Sequence, residues 1–302
     1  MKKIITLFGP TASSKSKIAI ELATRYNGEI VNSDSRQFFK FMEIGTASPS
    51  AEEKRLIPHH LYNILEPNEK VDAGLFVKMA DDKIADISLR NKLPIIVGGT
   101  GLYLKALTKG LAKIPIIPNQ VREHIKEMIK IEGLTKCYEY LREKDPNYAK
   151  KISPNDKQRI ERALEVIYFT GEKFSSFHNN HNFCQKRYEY ISICIMPKRD
   201  ILYERINKRT HDIFHSGIIE ETQLLISKGY ENTIAFNAIG YNEAYKYITG
   251  KISLKEAIEL TAQRTRQYAK RQITWFKKAD WTISTEPENI NYIIDYLNSC
   301  IK

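Results

Sequence analysis

The sequence predicts an α/β fold: a P-loop-type parallel sheet flanked by helices, interrupted by an all-helical insertion. Three observations lead there. Short apolar strands alternate with amphipathic helices through the first 110 or so residues, the pattern of a parallel sheet covered on both faces. The first strand runs into Gly9-Pro-Thr-Ala-Ser-Ser-Lys-Ser16, close to the phosphate-binding pattern G-x-x-x-x-G-K-[ST]. Between 113 and 186 the pattern becomes helical, with no clear strand, before strand character returns.

In order, Ile4–Phe8 reads as a strand, and Ser16–Tyr26 as a helix with Ile18, Ala19, Leu22 and Ala23 on one face. Glu29–Asp34 is a second strand, expected to end beside the first. Asp72–Asn91 has helical spacing at Leu75, Met79, Ile84 and Ile87. Pro94–Val97 is a third strand, leading through Gly98-Gly-Thr-Gly101 into a helix with Leu102, Leu104 and Leu107. Lys113–Pro118 is linker-like. Helices are predicted at 119–132, 134–144 and 155–169, a polar loop over Asn179–Lys186 and a strand over Tyr190–Met196. Helical segments at 200–228, 235–248 and 253–278 follow, then a short strand, Trp281–Ile283, and a last helix. The core is thus expected at 1–112 and 187–302, and the insertion at 113–186.

Of the 302 residues, 42% are hydrophobic and 27% charged, an ordinary globular mix. Lys plus Arg exceed Asp plus Glu by 47 − 36 = 11. Such an excess fits a polyanionic partner, nucleic acid before membrane; a generally Lys-rich surface accounts for it equally well. Cys137, Cys184, Cys194 and Cys300 form no C-x-x-C pair, which argues against zinc or redox chemistry and for reduced thiols in a cytoplasm. The apolar strand begins too near Met1 for a signal peptide, and no apolar run approaches a membrane span.

A strand–loop–helix unit aims backbone N–H groups and the positive end of a helix dipole at one point. In the loop Gly9, Pro10, Thr11, Ala12, Ser13, Ser14, Lys15, Ser16, the lysine is placed to reach a terminal phosphate, and the Ser16 hydroxyl to ligate Mg²⁺. Ser14 stands where the second glycine belongs. If that position needs positive φ, a side chain there costs about 1–2 kcal/mol. The competing reading is a plain helix start with Ser13 as N-cap. Asp34, in Ser33-Asp-Ser-Arg-Gln37, ends the second strand, where ligands of parallel sheets bind; taken alone it reads first as a turn residue. Thr100 opens a helix after the third strand, with its hydroxyl and neighbouring amides available to anionic oxygens; on its own the segment reads equally as a tight strand-to-helix turn. His211 and His215 stand four apart, as zinc ligands can, but Asp212 replaces the metalloprotease glutamate and no third ligand is evident, so they read as a polar helix face.

Taken together, the segments Gly9–Ser13, Asp34–Gln37, Ile44-Gly-Thr-Ala47, Pro58-His-His-Leu61, Val97–Tyr103, Asp156–Arg159 with Arg162–Val166, Ala238-Ile-Gly-Tyr241 and Thr265–Phe276 closely resemble the tRNA dimethylallyltransferase (tRNA isopentenyltransferase) family, from about residue 3 to residue 278. The last segment is the most specific. The resemblance implies transfer of a five-carbon prenyl group from dimethylallyl diphosphate to N6 of the adenosine just 3′ of the anticodon, in tRNAs that read codons beginning with U. It implies Asp34 as general base, Thr100 and Arg209 at the diphosphate, and Mg²⁺ as cofactor. It also implies tRNA contacts from Asp34, Ser35, Arg36, Gln37, Thr100, Arg122, Gln158, Arg159, Ile160, Glu161, Arg162, Arg266, Lys270, Arg271 and Lys277. The basic stretch Arg264–Lys278 carries no acid. On a helix it puts Arg266, Lys270 and Lys277 on one face for phosphates, and Tyr268, Arg271 and Trp275 on another against the sheet. Ser14, Asn63 and Asn237 depart from the family pattern and bear on substrate affinity. The expected state is a cytoplasmic monomer without membrane contact. A P-loop kinase, a catalytically decayed RNA-binding protein and a prenyltransferase of free adenine nucleotides are the rival readings.

Overall fold

The computed structural model describes residues 2–181 and 186–301. They divide into two compact units, 1–108 with 187–302, and 109–186. The first unit carries a six-stranded, wholly parallel sheet: β1 (Lys3–Phe8), β2 (Gly28–Asn32), β3 (His59–His60), β4 (Leu93–Gly98), β5 (Glu189–Ile195) and β6 (Ile283–Thr285), in spatial order β3-β2-β4-β1-β5-β6. Leu7 is in register with Val97 on one side and Ile193 on the other.

All but the first residue of β1 is buried, as expected of a strand with both faces covered. Alternation sorts its side chains. Ile5 and Leu7 join Ile30, Ile95 and Ile193 on one face, packed by Ile18 and Leu22 of α1 (Lys15–Arg25) and Ile293 and Leu297 of the last helix, Ile290–Cys300. Ile4 and Phe8 join Val31, Ile96 and Cys194 on the other, under Phe76 and Ile84 of the helix Ala73–Leu89 and Phe276 of the long helix Leu254–Phe276.

Several expectations shift. β4 lies between β1 and β2, so the second strand does not adjoin the first. The two-residue β3 and the short helix Ala51–Leu56 carry too little periodicity to stand out in the sequence. The segment 200–228 is two helices, Arg199–His215 and Ile218–Ser227, because Gly217 turns the chain at φ 110°. Helix within 235–248 covers only Tyr241–Ile248, and the last strand is Ile283–Thr285 rather than 281–283.

The second unit is helical: Asn119–Glu132, Leu134–Lys144, Pro146–Ala149, Lys157–Thr170 and Phe174–His181. Ile125, Ile129, Leu141, Ile160, Leu164 and Ile167 form its own core. The polar loop read at 179–186 begins inside the last of these helices; 182–185, with Cys184, lie outside the described residues. The three described cysteines are free thiols. Among the described residues no helix is long and apolar enough to cross a membrane.

Candidate active site

The loop after β1 reaches α1 through two left-handed corners, Ala12 at φ 61° and Ser14 at φ 66°. Ser14, not Ser13, occupies the N-cap position, and its side chain caps nothing. Its Oγ instead accepts from Arg205 Nη1 at 3.2 Å, and Arg205 Nη2 donates to Glu288 at 2.9 Å. The plain N-capped helix start is therefore not what forms. Lys15 folds back over the loop, donating to the Pro10 carbonyl at 2.6 Å and the Ser13 hydroxyl at 3.3 Å. Burial pushes its ammonium down to about 8, against the opposing pull of Asp34, with Arg209 adding to the fall.

A cleft of about 640 Å³ opens on this loop. Thr11 to Ser16, Asp34 to Gln37, Gly45 to Ala47, Arg205, Arg209, Tyr268, Arg271 and Gln272 all line it. Asp34 is held by its neighbours: its N–H donates to Asn32 Oδ1 at 2.7 Å, and its own Oδ1 accepts from Arg36 N at 3.0 Å. Its Oδ2 stands 3.5 Å from where a β-carbon on Gly99 would sit. Burial, with the Asp34 charge behind it, raises the phenols of Tyr62 and Tyr268, which line the same cleft. Arg209 extends from the opposite wall, its Nη1 3.4 Å from Thr11 Oγ1 and its Nη2 donating to the Thr46 carbonyl at 3.2 Å; burial lowers its pKa.

The structure thus brings Lys15, Ser16, Asp34 and Arg209 to one cleft. Thr100 is not part of its wall: its hydroxyl accepts from Ser35 N at 3.2 Å and holds the segment that carries Asp34. Ser35, Arg36 and Gln37 do line it, though Arg36 donates to the Ile234 carbonyl, and Gln37 to the carbonyls of Thr46 and Ala47. On the long helix, Trp275 packs against the sheet cluster, whereas Arg271 is exposed at the cleft and lies over Tyr268. Lys270 and Lys277 are exposed, and Arg266 donates to Asn207.

In the insertion, Gln158 and Arg159 are exposed, Glu161 is half-buried and Arg162 pairs with Glu165 at 2.9 Å. Ile160 has no exposed surface, so its place among nucleic-acid contacts is corrected: it packs the insertion core. Arg122 is half-buried, with a buried Nε that meets no partner among the described residues. Among the described residues no three metal-ligating His, Cys, Asp or Glu side chains cluster; His215 Nδ1 instead lies 2.7 Å from the His211 carbonyl.

Two cleft residues escape the sequence reading. Gln272 accepts from Thr11 N at 2.9 Å and donates to the Gly99 carbonyl at 2.9 Å, tying together the loops after β1 and β4. The signal for it was an uncharged amide inside the basic string. Arg205, four residues before Arg209, signalled its place by helical spacing alone.

The IPP transferase family model matches residues 37–279. The chain belongs to this family. The tRNA dimethylallyltransferase of Geobacter metallireducens is 44% identical over 277 residues, spanning 91% of this chain and 90% of that protein. That of Limosilactobacillus reuteri is 39% identical over the full length of both. Among solved structures, the tRNA isopentenylpyrophosphate transferase of Bacillus halodurans aligns over 99% of this chain and 96% of its own, with a TM-score of 0.73 and 33% identity. A eukaryotic dimethylallyltransferase acting on tRNA aligns over 94% of this chain and 74% of its own, with a TM-score of 0.82 and 30% identity. IPP transferase membership leaves the kinase reading without support from relatives.

Proposed function

We propose that this chain transfers a dimethylallyl group from dimethylallyl diphosphate to N6 of the adenosine 3′ to the anticodon, in tRNAs that read U-starting codons, releasing diphosphate. The observation that carries the reading is that a carboxylate, Asp34, and an amide-lined loop with Lys15 and Arg209 line one cleft. N6 of adenine is a weak nucleophile because its lone pair is delocalised into the ring. Asp34 accepts the N6 proton as the nitrogen attacks C1 of the donor. The C1–O bond breaks as the C1–N bond forms, and the charge gathers on the departing diphosphate. Lys15, Arg209 and the N–H groups of the loop stabilise that charge.

Mg²⁺ fits this donor set in one way. Ser16 offers a hydroxyl on the cleft wall, and without a cluster of protein ligands around it an ion would rest chiefly on diphosphate oxygens and water. Bound there it would neutralise part of the diphosphate charge.

The target base must leave its stack, at roughly a few kcal/mol. Arg122, Gln158, Arg159, Glu161 and Arg162 of the insertion, with Arg266, Lys270, Arg271 and Lys277, are the groups we assign to the anticodon stem-loop. The protein acts in this reading as a cytoplasmic monomer. Incubation with dimethylallyl diphosphate, Mg²⁺ and an anticodon stem-loop, followed by nucleoside mass spectrometry, tests it. N6-isopentenyladenosine is the expected product; its absence, or γ-phosphate transfer from ATP, contradicts the reading.

A further inference from the structure

Arg209 faces the cleft with few protein partners. Among the described residues its hydrogen bonds go to Thr11 Oγ1 and the Thr46 carbonyl, and none goes to a carboxylate. Its direction therefore depends on where the Thr46 carbonyl stands. That carbonyl belongs to the loop Glu43–Ala47, which also accepts Gln37 at Thr46 and Ala47.

What fixes the loop is a carboxylate on its far side. Glu221, in the first turn of the helix Ile218–Ser227, accepts from three consecutive amides: Oε2 from Glu43 N at 2.8 Å and Ile44 N at 2.9 Å, and Oε1 from Gly45 N at 3.0 Å. Oε1 also accepts from the Tyr241 hydroxyl at 2.6 Å. Three converging N–H groups form an anion nest, so this half-buried charge is satisfied without a cation among the described residues. Tyr241 is fully buried, and a β-carbon on Gly45 would lie 2.5 Å from its ring. Glycine at 45 is thus what lets the amides close on the carboxylate.

We propose that Glu221, backed by Tyr241, is a positioning residue for Arg209. It never meets the substrate; it locks the loop whose Thr46 carbonyl aims the guanidinium at the diphosphate. This rests on the diphosphate-site reading above, but not on the identity of the acceptor.

The test reads binding of inorganic diphosphate, with Mg²⁺ present, by titration calorimetry. Glu221→Gln keeps the shape, but its amide nitrogen cannot accept, so at least one loop N–H loses its partner; Kd should rise about tenfold. Tyr241→Phe, which removes one bond, should raise it about threefold. In an Arg209→Lys background, Glu221→Gln should change Kd by less than about twofold, because the group it positions is gone. A purely structural role would instead give the same loss in both backgrounds, and that result overturns the proposal. So does an unchanged Kd in Glu221→Gln. If that variant does not fold, an unchanged Kd in Tyr241→Phe overturns it and a raised Kd that vanishes with Arg209→Lys supports it. Failure of the unsubstituted protein to bind diphosphate overturns both this inference and the site reading. Diphosphate binding without prenylated adenosine overturns only the proposed reaction.

Discussion

Ser14 holds a left-handed corner that glycine adopts without strain, and its hydroxyl ties Arg205 to the loop. Replacing it with glycine relieves a strain of about 1–2 kcal/mol in the fold and takes away a β-carbon from the cleft wall, where it would crowd the donor's phosphates. Ser14→Gly is therefore expected to lower the KM for the prenyl donor; an unchanged or raised KM in steady-state assays contradicts this. Lys15 yields a pH prediction. Burial brings its pKa from 10.5 to about 8, so the free protein loses a positive charge from the cleft as pH rises through about 8. The donor kcat/KM should fall there, and Lys15→Arg, which stays charged, should flatten that limb even if its maximum is lower. The sign for stability is opposite: between about 8 and 10.5 the unfolded chain holds the proton more tightly, so this group's contribution to stability rises with pH across that window. That Lys15, Ser16 and Asp34 would line one cleft was legible because their placement follows from position at the ends of strands. Gln272, Arg205 and Glu221 were not. Each acts through a partner distant in sequence: Gln272 on Thr11, Arg205 on Ser14, Glu221 on Glu43 to Gly45.

At the level of elements, the edge of the sheet is fastened by a buried charge. Glu29 on β2 is 1% exposed and hydrogen-bonded to Arg90, with Lys92 at 2.9 Å and His60 of β3 at 2.6 Å. The Arg90 bonds, outweighing burial, hold its carboxyl far below the usual range. Its stabilising contribution is thus present above pH about 4.5 and is lost as pH falls below it. Glu29→Gln should lower stability by about 2 kcal/mol at neutral pH, because the charge-assisted hydrogen bonds to Arg90 and Lys92 are weakened; urea titrations should show the gap narrowing in acid. A gap independent of pH contradicts the ion-pair account. This edge also shows why the sequence under-read the sheet: β3 is two residues whose place is set by β2 and by Glu29, not by any period of their own. Strands with continuous apolar runs, such as Ile4–Phe8 and Pro94–Val97, were plain. The break at Gly217 was hidden because apolar spacing continues on both sides of it.

Across the whole molecule, an ordinary parallel sheet becomes a transferase scaffold through what meets at its carboxyl edge. β1 delivers the loop Gly9 to Ser16, β2 delivers Asp34, β4 delivers the Gly99–Thr100 turn, and the helices Arg199–His215 and Leu254–Phe276 supply Arg209 and Gln272. The insertion, residues 109–186, is a separate unit with its own core, and Gln158 and Arg159 lie exposed on it. Order along the chain announced this division, since helical periodicity replaced strand character over a long continuous stretch; it did not announce which polar residues would close the cleft. The central claim is that Asp34 takes the proton while the neighbouring loop holds diphosphate. Single-turnover prenylation of a saturating stem-loop by Asp34→Asn, set beside its diphosphate affinity, tests it most directly. The rate should fall by about 10²–10⁴ with diphosphate binding retained, as expected for loss of a general base. A rate equal to that of the unsubstituted protein would contradict the account.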